Sequence, residues 1–394
     1  MLSKLPIIRS SISSADLVGG LRRMPDKTAV KRFADMLAAA VHSKYCYSMN
    51  SGISSFYVTL KALKRISDRR EVVIPAYTAG SLVVAIKKAG LKAVLCDISL
   101  DDFNLDSGLL SGVISSDTLA VIGVHLFGIN IKDIWSLRAR MPPGVFLIED
   151  CAQSMGSSTG GRQAGSFGDA GFFSFNRGKN LPICGGGCVV TDNERIAHAV
   201  EAEIDGLEAD GIFSGLSLFL KNIAFSVAGN PLVYGLGFGL ISRFKETAPP
   251  KDFSVKKMGP LQAALGLRLM ERMESLFSLR HRNGTSLIGG LRGIDGIILP
   301  EIPDKTRYVF NRLPVIFKDA GRREAAERML WENGIESSRM YLRPLHHMFD
   351  LGYDKKDFPK AVYCAERLLT LPTHPFVHDG DIDKMINAIK ETLT

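Results

Sequence analysis

The chain has 394 residues, of which 46% are hydrophobic and 23% charged, ordinary proportions for an α/β protein and unlike those of a disordered one. Its length suits a large domain with a smaller one beside it. A formal charge of +8, from 49 basic and 41 acidic residues, favours an anionic ligand or surface without choosing one; no basic cluster interleaved with aromatics supports nucleic acid. Six scattered cysteines (46, 96, 151, 184, 188 and 364) show neither a disulfide framework nor a CxxC pair, so they read as reduced thiols, and no metal site is expected. The opening MLSKLPIIRSSISS holds no apolar core long enough for a secretory signal, which makes a cytoplasmic location the expectation.

From about residue 45 to 205, short apolar runs alternate with helical patterns. Strands are expected at Val72–Ala76, Ala93–Ile98, Leu119–Leu126, Val145–Asp150, Gly171–Phe175 and Cys188–Thr191. Their near-continuous Val, Ile, Leu and Phe content suits strands covered on both faces. Helices are expected at Ser54–Arg65, Gly80–Ala89, Ile131–Met141 and Asn193–Glu203. Such alternation predicts a mostly parallel, doubly wound sheet, whose ligands bind beyond the carboxyl ends of its strands. Past residue 250 come a helix at Leu261–Met273, a strand at Tyr308–Phe317, a helix at Arg322–Asn333 and a strand at Ile335–Leu342. Two closing helices follow at Lys360–Leu369 and Asp381–Thr392. The expected division is 1–250, with an N-terminal arm and an uncharged insert at 212–244, and a smaller α+β domain at 251–394. Residues 222–242 form 21 uncharged residues between Lys221 and Arg243. That is long enough to span a membrane, but Asn230-Pro231 and four glycines interrupt it. A lid or subunit-interface element is favoured there, ahead of peripheral membrane contact.

Three motifs carry chemistry. Leu147-Ile148-Glu149-Asp150 is a buried strand ending in acids at the ligand edge. Phe172–Phe175 runs into a polar turn holding Lys179, where partial desolvation would lower the ammonium pKa as Schiff-base chemistry requires. Asn50-Ser51-Gly52-Ile53-Ser54-Ser55 opens a helix whose first N–H groups suit a phosphate, although ordinary N-capping explains the same residues. A phosphate cradle, an acid and a lysine at strand ends of one sheet are the parts that pyridoxal phosphate needs. A nicotinamide enzyme would need GxGxxG after an early strand, and none is present.

The run IPAYT (74–78), VHLFG (124–128), IEDCAQSMGSSTGGRQAGSFGDAGFFSFNRGKN (148–180) and GGG (185–187) resembles the DegT/DnrJ-type sugar aminotransferases. LQAALGLRLMER (261–272), RPLHHM (343–348) and LTLPTHP (369–375) extend the likeness over residues 15 to 392. The resemblance implies the fold-type-I architecture of pyridoxal-phosphate transferases: a mostly parallel seven-stranded sheet plus a smaller C-terminal α+β domain. It implies that Lys179 forms the Schiff base and shuttles a proton, and that Asp150 pairs with the pyridinium nitrogen. Gln153 would lie near the ring hydroxyl, Tyr77 on the ring face, and Ser174 with the Ile53 and Ser54 amides at the phosphate. It further implies an amino donor, usually glutamate, a nucleotide-sugar ketone as acceptor, and a homodimer. His125, Arg343 and His346 are candidate substrate contacts. Two departures stand out. Ile53 replaces a hydroxyl residue, and Val255-Lys256-Lys257-Met258 lacks the Asn of the family's partner loop, where either lysine would substitute as a point charge. A sugar dehydratase on the same scaffold, expected to carry His in place of Lys179, and a cofactor-binding regulatory or assembly protein are the alternatives.

Overall fold

The computed structural model describes residues 3–23, 26, 28–241 and 248–394. Seven strands form the large sheet: β1 (Tyr45–Met49), β2 (Glu71–Pro75), β3 (Lys92–Cys96), β4 (Thr118–Val124), β5 (Phe146–Asp150), β6 (Ala170–Ser174) and β7 (Gly187–Thr191). Their order across the sheet is β1-β7-β6-β5-β4-β2-β3. Only β7 opposes its neighbours; the β2–β3, β2–β4, β4–β5 and β5–β6 pairs are parallel. All six strands expected between residues 45 and 205 are present, and β1 adds an edge strand whose sequence, YCYSM, carries no aliphatic run.

Alternate residues of the strands enter cores on opposite faces, which is why the runs are apolar throughout. Ile148 and Phe172 pack under the helices Gly52–Ile66, Gly80–Lys88 and Glu194–Ile204, whereas Leu147 and Phe173 face the other side. There the helices Ala29–Val41 and Pro260–Met270 supply Phe33, Leu261 and Leu265. A second sheet follows, β8 (Ile297–Ile298), β9 (Arg312–Phe317) and β10 (Leu368–Pro372), antiparallel with β9 in the middle. Its side chains Leu313, Val315 and Leu371 share one continuous core with the large sheet.

Three expectations need correction. The Leu261–Met273 helix stops at Met270 and restarts as Met273–Leu291, a 19-residue helix. The segment Ile335–Leu342 is not a strand. It makes isolated bridges at Ile335 and Ser338 and turns through a left-handed Met340 (φ 57°), which carries Tyr341 toward the large sheet. Leu368 and Leu369, expected to end a helix, open β10 instead.

The uncharged stretch becomes two helices, Ile212–Ala228 and Pro231–Ile241, bent by 88° at Gly229-Asn230. Asn230 explains the break: its carbonyl accepts from the Tyr234 amide at 2.7 Å and its side-chain oxygen from the Leu232 amide at 3.0 Å, so it caps the second helix at Pro231. Among the described residues no single helix is long and apolar enough to cross a membrane. Ser242, Arg243 and Phe244, the end of the expected insert, lie outside the described residues.

Candidate active site

Because six strands run one way, their carboxyl ends share an edge, and the amino end of β7 joins them. Asn50-Ser51 follows β1, Tyr77 follows β2, His125 follows β4, Asp150 ends β5 and Ser174 ends β6. Lys179 lies on the turn after β6, held by its neighbours' backbone: its N–H donates to the Asn176 carbonyl at 3.2 Å, and Gly178 takes φ 72°. The Asn311 amide donates to the Gly178 carbonyl, and the buried guanidinium of Arg280 reaches the carbonyls of Phe310, Asn311 and Lys179 at 3.3–3.5 Å. The lysine turn is therefore clamped by the C-terminal part of the chain.

Lys179 and Asp150 act on each other's protonation. Burial pulls the Lys179 ammonium down to about 8, against the attraction of Asp150 and with help from the positive charge of Arg312. Burial likewise raises Asp150, opposed by the Ala152 N–H at 2.9 Å, by Lys179 and by His125. One carboxylate oxygen of Asp150 takes that N–H, which leaves acceptor capacity on the other.

The adjacent Glu149 is spent differently. It is fully buried and accepts backbone N–H groups from Gly165 at 2.8 Å, Phe167 at 2.6 Å and Gly168 at 2.6 Å, plus His125 Nε2 at 2.8 Å. His125 Nδ1 accepts the Ile131 N–H at 3.2 Å, which assigns the proton to Nε2. Both ring nitrogens are engaged and the ring has no exposed surface, so His125 has no atom for a substrate. That corrects the expectation for this residue. Among the described residues one group, His125, Glu149 and Cys151, stands at metal-ligand spacing, but the Glu149 oxygens and His125 Nδ1 already accept protein N–H groups.

Gln153 accepts the Phe127 N–H at 3.1 Å and donates to the Tyr341 hydroxyl at 3.2 Å. Tyr77 is fully buried, edge-on to Tyr341 at 5.5 Å, its hydroxyl donating to the carbonyls of Arg339 and Tyr341 at 3.3 and 3.2 Å. Tyr341, Asn311, Arg280 and Arg312 were not singled out by sequence; the one available signal was the polar Asn311-Arg312 pair opening an apolar strand. His346 is buried against Phe358 (ring centroids 5.1 Å), and its Nε2 donates to the Lys355 carbonyl at 3.4 Å. Among the described residues its Nδ1 has no hydrogen-bond partner, and the adjoining Leu345 N–H donates to the Ala76 carbonyl at 2.8 Å, next to Tyr77. Arg343 is exposed.

At the helix start, Ser51 is the N-cap and accepts the Ser54 N–H at 3.2 Å, so of the two expected amides Ser54's is already capped. The Ser54 hydroxyl is also engaged, donating to the Ser254 carbonyl at 2.9 Å. Ile53 lies on the same first turn, half-buried. Backbones converge closely here. A Cβ on Gly52 would stand 2.5 Å from the Ser174 Cβ and 2.8 Å from its Oγ, and one on Gly187 would stand 2.6 Å from the Gly52 nitrogen. The glycines thereby let a helix N-terminus and a serine hydroxyl lie side by side, a fit for a phosphate. With a depressed lysine and an acid that has acceptor capacity to spare, the residues suit pyridoxal phosphate. The Lys256 carbonyl accepts the Asn50 N–H at 3.0 Å and its N–H donates to Asn50 Oδ1 at 3.3 Å, while Lys257 Nζ donates to the Asp205 carbonyl at 3.0 Å, so the second lysine is held within its own chain.

A mostly parallel seven-stranded sheet with a lysine and an acid at one edge, capped by an antiparallel C-terminal sheet, defines the fold of the pyridoxal-phosphate-dependent aminotransferases. The chain belongs to the DegT/DnrJ/EryC1/StrS aminotransferase family, whose profile matches residues 23–390. It is similar to the spore coat polysaccharide biosynthesis protein SpsC of Bacillus subtilis, 29% identical over 92% of this chain and 89% of that one. It is similar also to the dTDP-3-amino-3,4,6-trideoxy-alpha-D-glucose transaminase of Micromonospora megalomicea, at 25% over 89% and 86%. The solved structure of S. venezuelae DesV shares the fold, with TM-score 0.77 and 24% identity over 96% and 94% of the two chains.

Proposed function

We propose that this chain moves an amino group from an amino acid, glutamate by expectation, to a keto group of a nucleotide-linked sugar destined for polysaccharide or secondary-metabolite synthesis. The observation that carries the reading is the Lys179–Asp150 pair at the sheet edge, one group depressed and the other raised by the same burial. When bound, pyridoxal phosphate supplies an aldehyde carbon for amine exchange and a ring that accepts electrons. The protein's own groups do the rest. With its pKa near 8, Lys179 Nζ keeps a neutral fraction at physiological pH, giving it the lone pair that attack on a carbonyl carbon and removal of a Cα proton both need. Asp150 offers its spare oxygen to a ring N–H. Gln153, tied to Phe127 and Tyr341, stands for the ring hydroxyl, Tyr341 for a ring face with the fully buried Tyr77 behind it edge-on rather than on the ring itself, and Ser174 with the Ile53 amide for the phosphate. Arg343, the exposed candidate, is left for the acceptor. The sugar assignment rests on family membership and on relatives named for dTDP-sugar and polysaccharide chemistry.

An absorbance scan of the purified protein tests this directly. A visible band that gives way to a near-ultraviolet band on adding glutamate, and returns with a keto nucleotide sugar, is the expected result. A visible band that no amino donor changes favours the regulatory alternative; loss of hydroxyl from the sugar without nitrogen gain favours the dehydratase.

We take residue 250, where the sequence pattern changes, as the boundary between large and small domains, the location as cytoplasmic as expected from the sequence, and the protein as a homodimer on the resemblance. The bent helix pair supports peripheral membrane contact: Leu216, Leu220, Ile223, Val227, Leu232, Val233 and Leu236 are all exposed on it, and residues 212–241 contain no acid and one base, Lys221. An apolar face with no acid, on a chain of net charge +8, suits an anionic bilayer surface. Co-sedimentation with anionic vesicles is expected; a face covered by a second copy instead predicts dimers that ignore vesicles.

A further inference from the structure

The phosphate cradle is rich in donors and poor in charge. A phosphate monoester carries about −1.5 to −2 at neutral pH, whereas a helix start offers the equivalent of about half a positive charge. The Ile53 amide and the Ser174 hydroxyl are neutral, and the Ile53 side chain adds no donor. A partly buried dianion beside such groups calls for a cation. Four cationic residues lie on the segments that border the cradle: Arg177, Lys179, Lys256 and Lys257. Lys179 is reserved for the carbonyl chemistry, and Lys257 Nζ is engaged by the Asp205 carbonyl at 3.0 Å. Arg177 is exposed on the outer side of the lysine turn. Lys256 is half-buried, and among the described residues its ammonium makes no hydrogen bond and no ion pair within 4.0 Å.

The backbone of Lys256 is fixed at the mouth of the cradle. Residues 254–258 run antiparallel to the end of β1, with Lys257 bridged to Met49 and the Met258 N–H on the Ser48 carbonyl at 3.3 Å. Lys256 falls opposite Asn50, which precedes the N-cap Ser51 and whose carbonyl also accepts the Gly186 N–H at 2.7 Å. The Ser54 hydroxyl and the Asn50 amide both donate to the Ser254 carbonyl, at 2.9 and 3.3 Å, so the segment is tied to the helix start on both sides of Gly52. Consecutive side chains on a paired, extended segment leave on opposite sides. That of Lys257 goes to Asp205, at the end of the helix Glu194–Ile204. The charge of Lys256 is felt instead by Asp210, whose carboxyl is raised by burial and lowered in opposition by Lys256. Asp210 precedes the helix Ile212–Ala228, and Leu218 of that helix packs on Gly185 of the glycine turn. The free ammonium is therefore on the glycine-turn side of its segment, the side of the phosphate. We propose that Lys256 is the cation that pairs with the phosphate of the bound cofactor. The inference rests on the pyridoxal-phosphate reading of the site and deepens it by assigning the charge to one residue.

The test measures binding rather than turnover. Pyridoxal phosphate is titrated into the full-length apoprotein and its variants Lys256→Met, Lys256→Arg, Lys257→Met and Arg177→Gln, with the visible band as the readout. Pyridoxal, the same aldehyde without the phosphate, is the companion ligand. Lys256→Met is expected to weaken pyridoxal phosphate roughly 10- to 100-fold, the scale of one hydrogen bond to a charged group, and to leave pyridoxal within about twofold. Retained pyridoxal binding separates this loss from misfolding. Lys256→Arg keeps most of the affinity because the charge remains, and Lys257→Met binds as wild type does because its ammonium is engaged elsewhere. Added salt weakens the wild type more steeply than Lys256→Met, as a charge pair requires. Inorganic phosphate raises the melting temperature of the wild-type apoprotein more than that of Lys256→Met. Wild-type affinity of Lys256→Met for pyridoxal phosphate, an equal loss for both ligands, or a loss confined to Arg177→Gln would overturn the inference and leave the cofactor reading standing. A wild-type apoprotein that binds neither aldehyde would overturn both.

Discussion

Glu149 and Asp150 are consecutive carboxylates on one strand, and they sit in two different regions. Glu149 points to the side of the sheet where the 165–168 loop folds back, and four donors saturate it: three backbone N–H groups and His125. Asp150 points to the edge shared with Lys179 and holds one backbone N–H. Both are buried acids, so burial alone does not mark function. What separates them is unspent bonding capacity beside a perturbed partner.

The largest effect that sharpens this contrast is expected from Lys179→Ala, which removes the amine: turnover should fall by on the order of 10⁴ or more, the scale seen when a nucleophile is deleted. Measured stability should fall little or even rise, since a half-buried cation is lost; a large drop in the urea midpoint would mean the residue is structural. Next, Asp150→Asn keeps the shape but removes the charge facing Lys179. A loss of about 10²–10³ in turnover is expected, with the fold intact, as for removing one preorganised electrostatic partner. Glu149→Gln should do the reverse. An amide cannot accept as the carboxylate does from four donors, so destabilisation of about 3 kcal/mol is expected in denaturant titrations. The protein that still folds should keep its lysine chemistry. If Glu149→Gln abolished that chemistry without touching stability, the contrast would collapse.

A smaller effect follows from pH. Lys179 titrates near 8 in the folded chain and near 10.5 when unfolded, so at pH 8 to 10.5 the unfolded chain binds the extra proton. Its burial therefore costs stability below pH 8, and that cost fades as pH rises toward 10.5. The reactivity of its amine toward an aldehyde should rise through a midpoint near 8; a midpoint near 10.5 would mean that the side chain is solvated. His374 gives the opposite sign at the acid end. Buried neutral and held down to about 3, it binds its proton first in the unfolded chain, so stability is lost as pH falls below about 6.5 toward 3. Thermal melts of His374→Gln, lacking that acid slope, check this.

Much of the large sheet was legible because strands covered on both faces must be apolar throughout, and that pattern survives in one dimension. Lys179 and Asp150 were legible because each ends or follows such a strand. The edge strand Tyr45–Met49 was not: four of its five residues are only half-buried, and it alternates aromatic with small residues. Met273–Leu291 was missed because its sequence is mixed, with Arg280 and Asn283 buried by partners far along the chain. His125 looked like a substrate contact because its position at the ligand edge was readable and its two hydrogen bonds were not. Arg280, Asn311 and Tyr341 were hidden for the same reason. Each acts on Lys179 or on Gln153 across more than 100 residues of sequence, and a residue's spent or unspent bonds exist only in three dimensions.

The measurement that goes most directly to the central claim is borohydride reduction of the holoenzyme followed by peptide mass mapping. The account predicts a pyridoxyl adduct on Lys179 and its absence in Lys179→Ala. An adduct on another lysine, or none after incubation with pyridoxal phosphate, would contradict it.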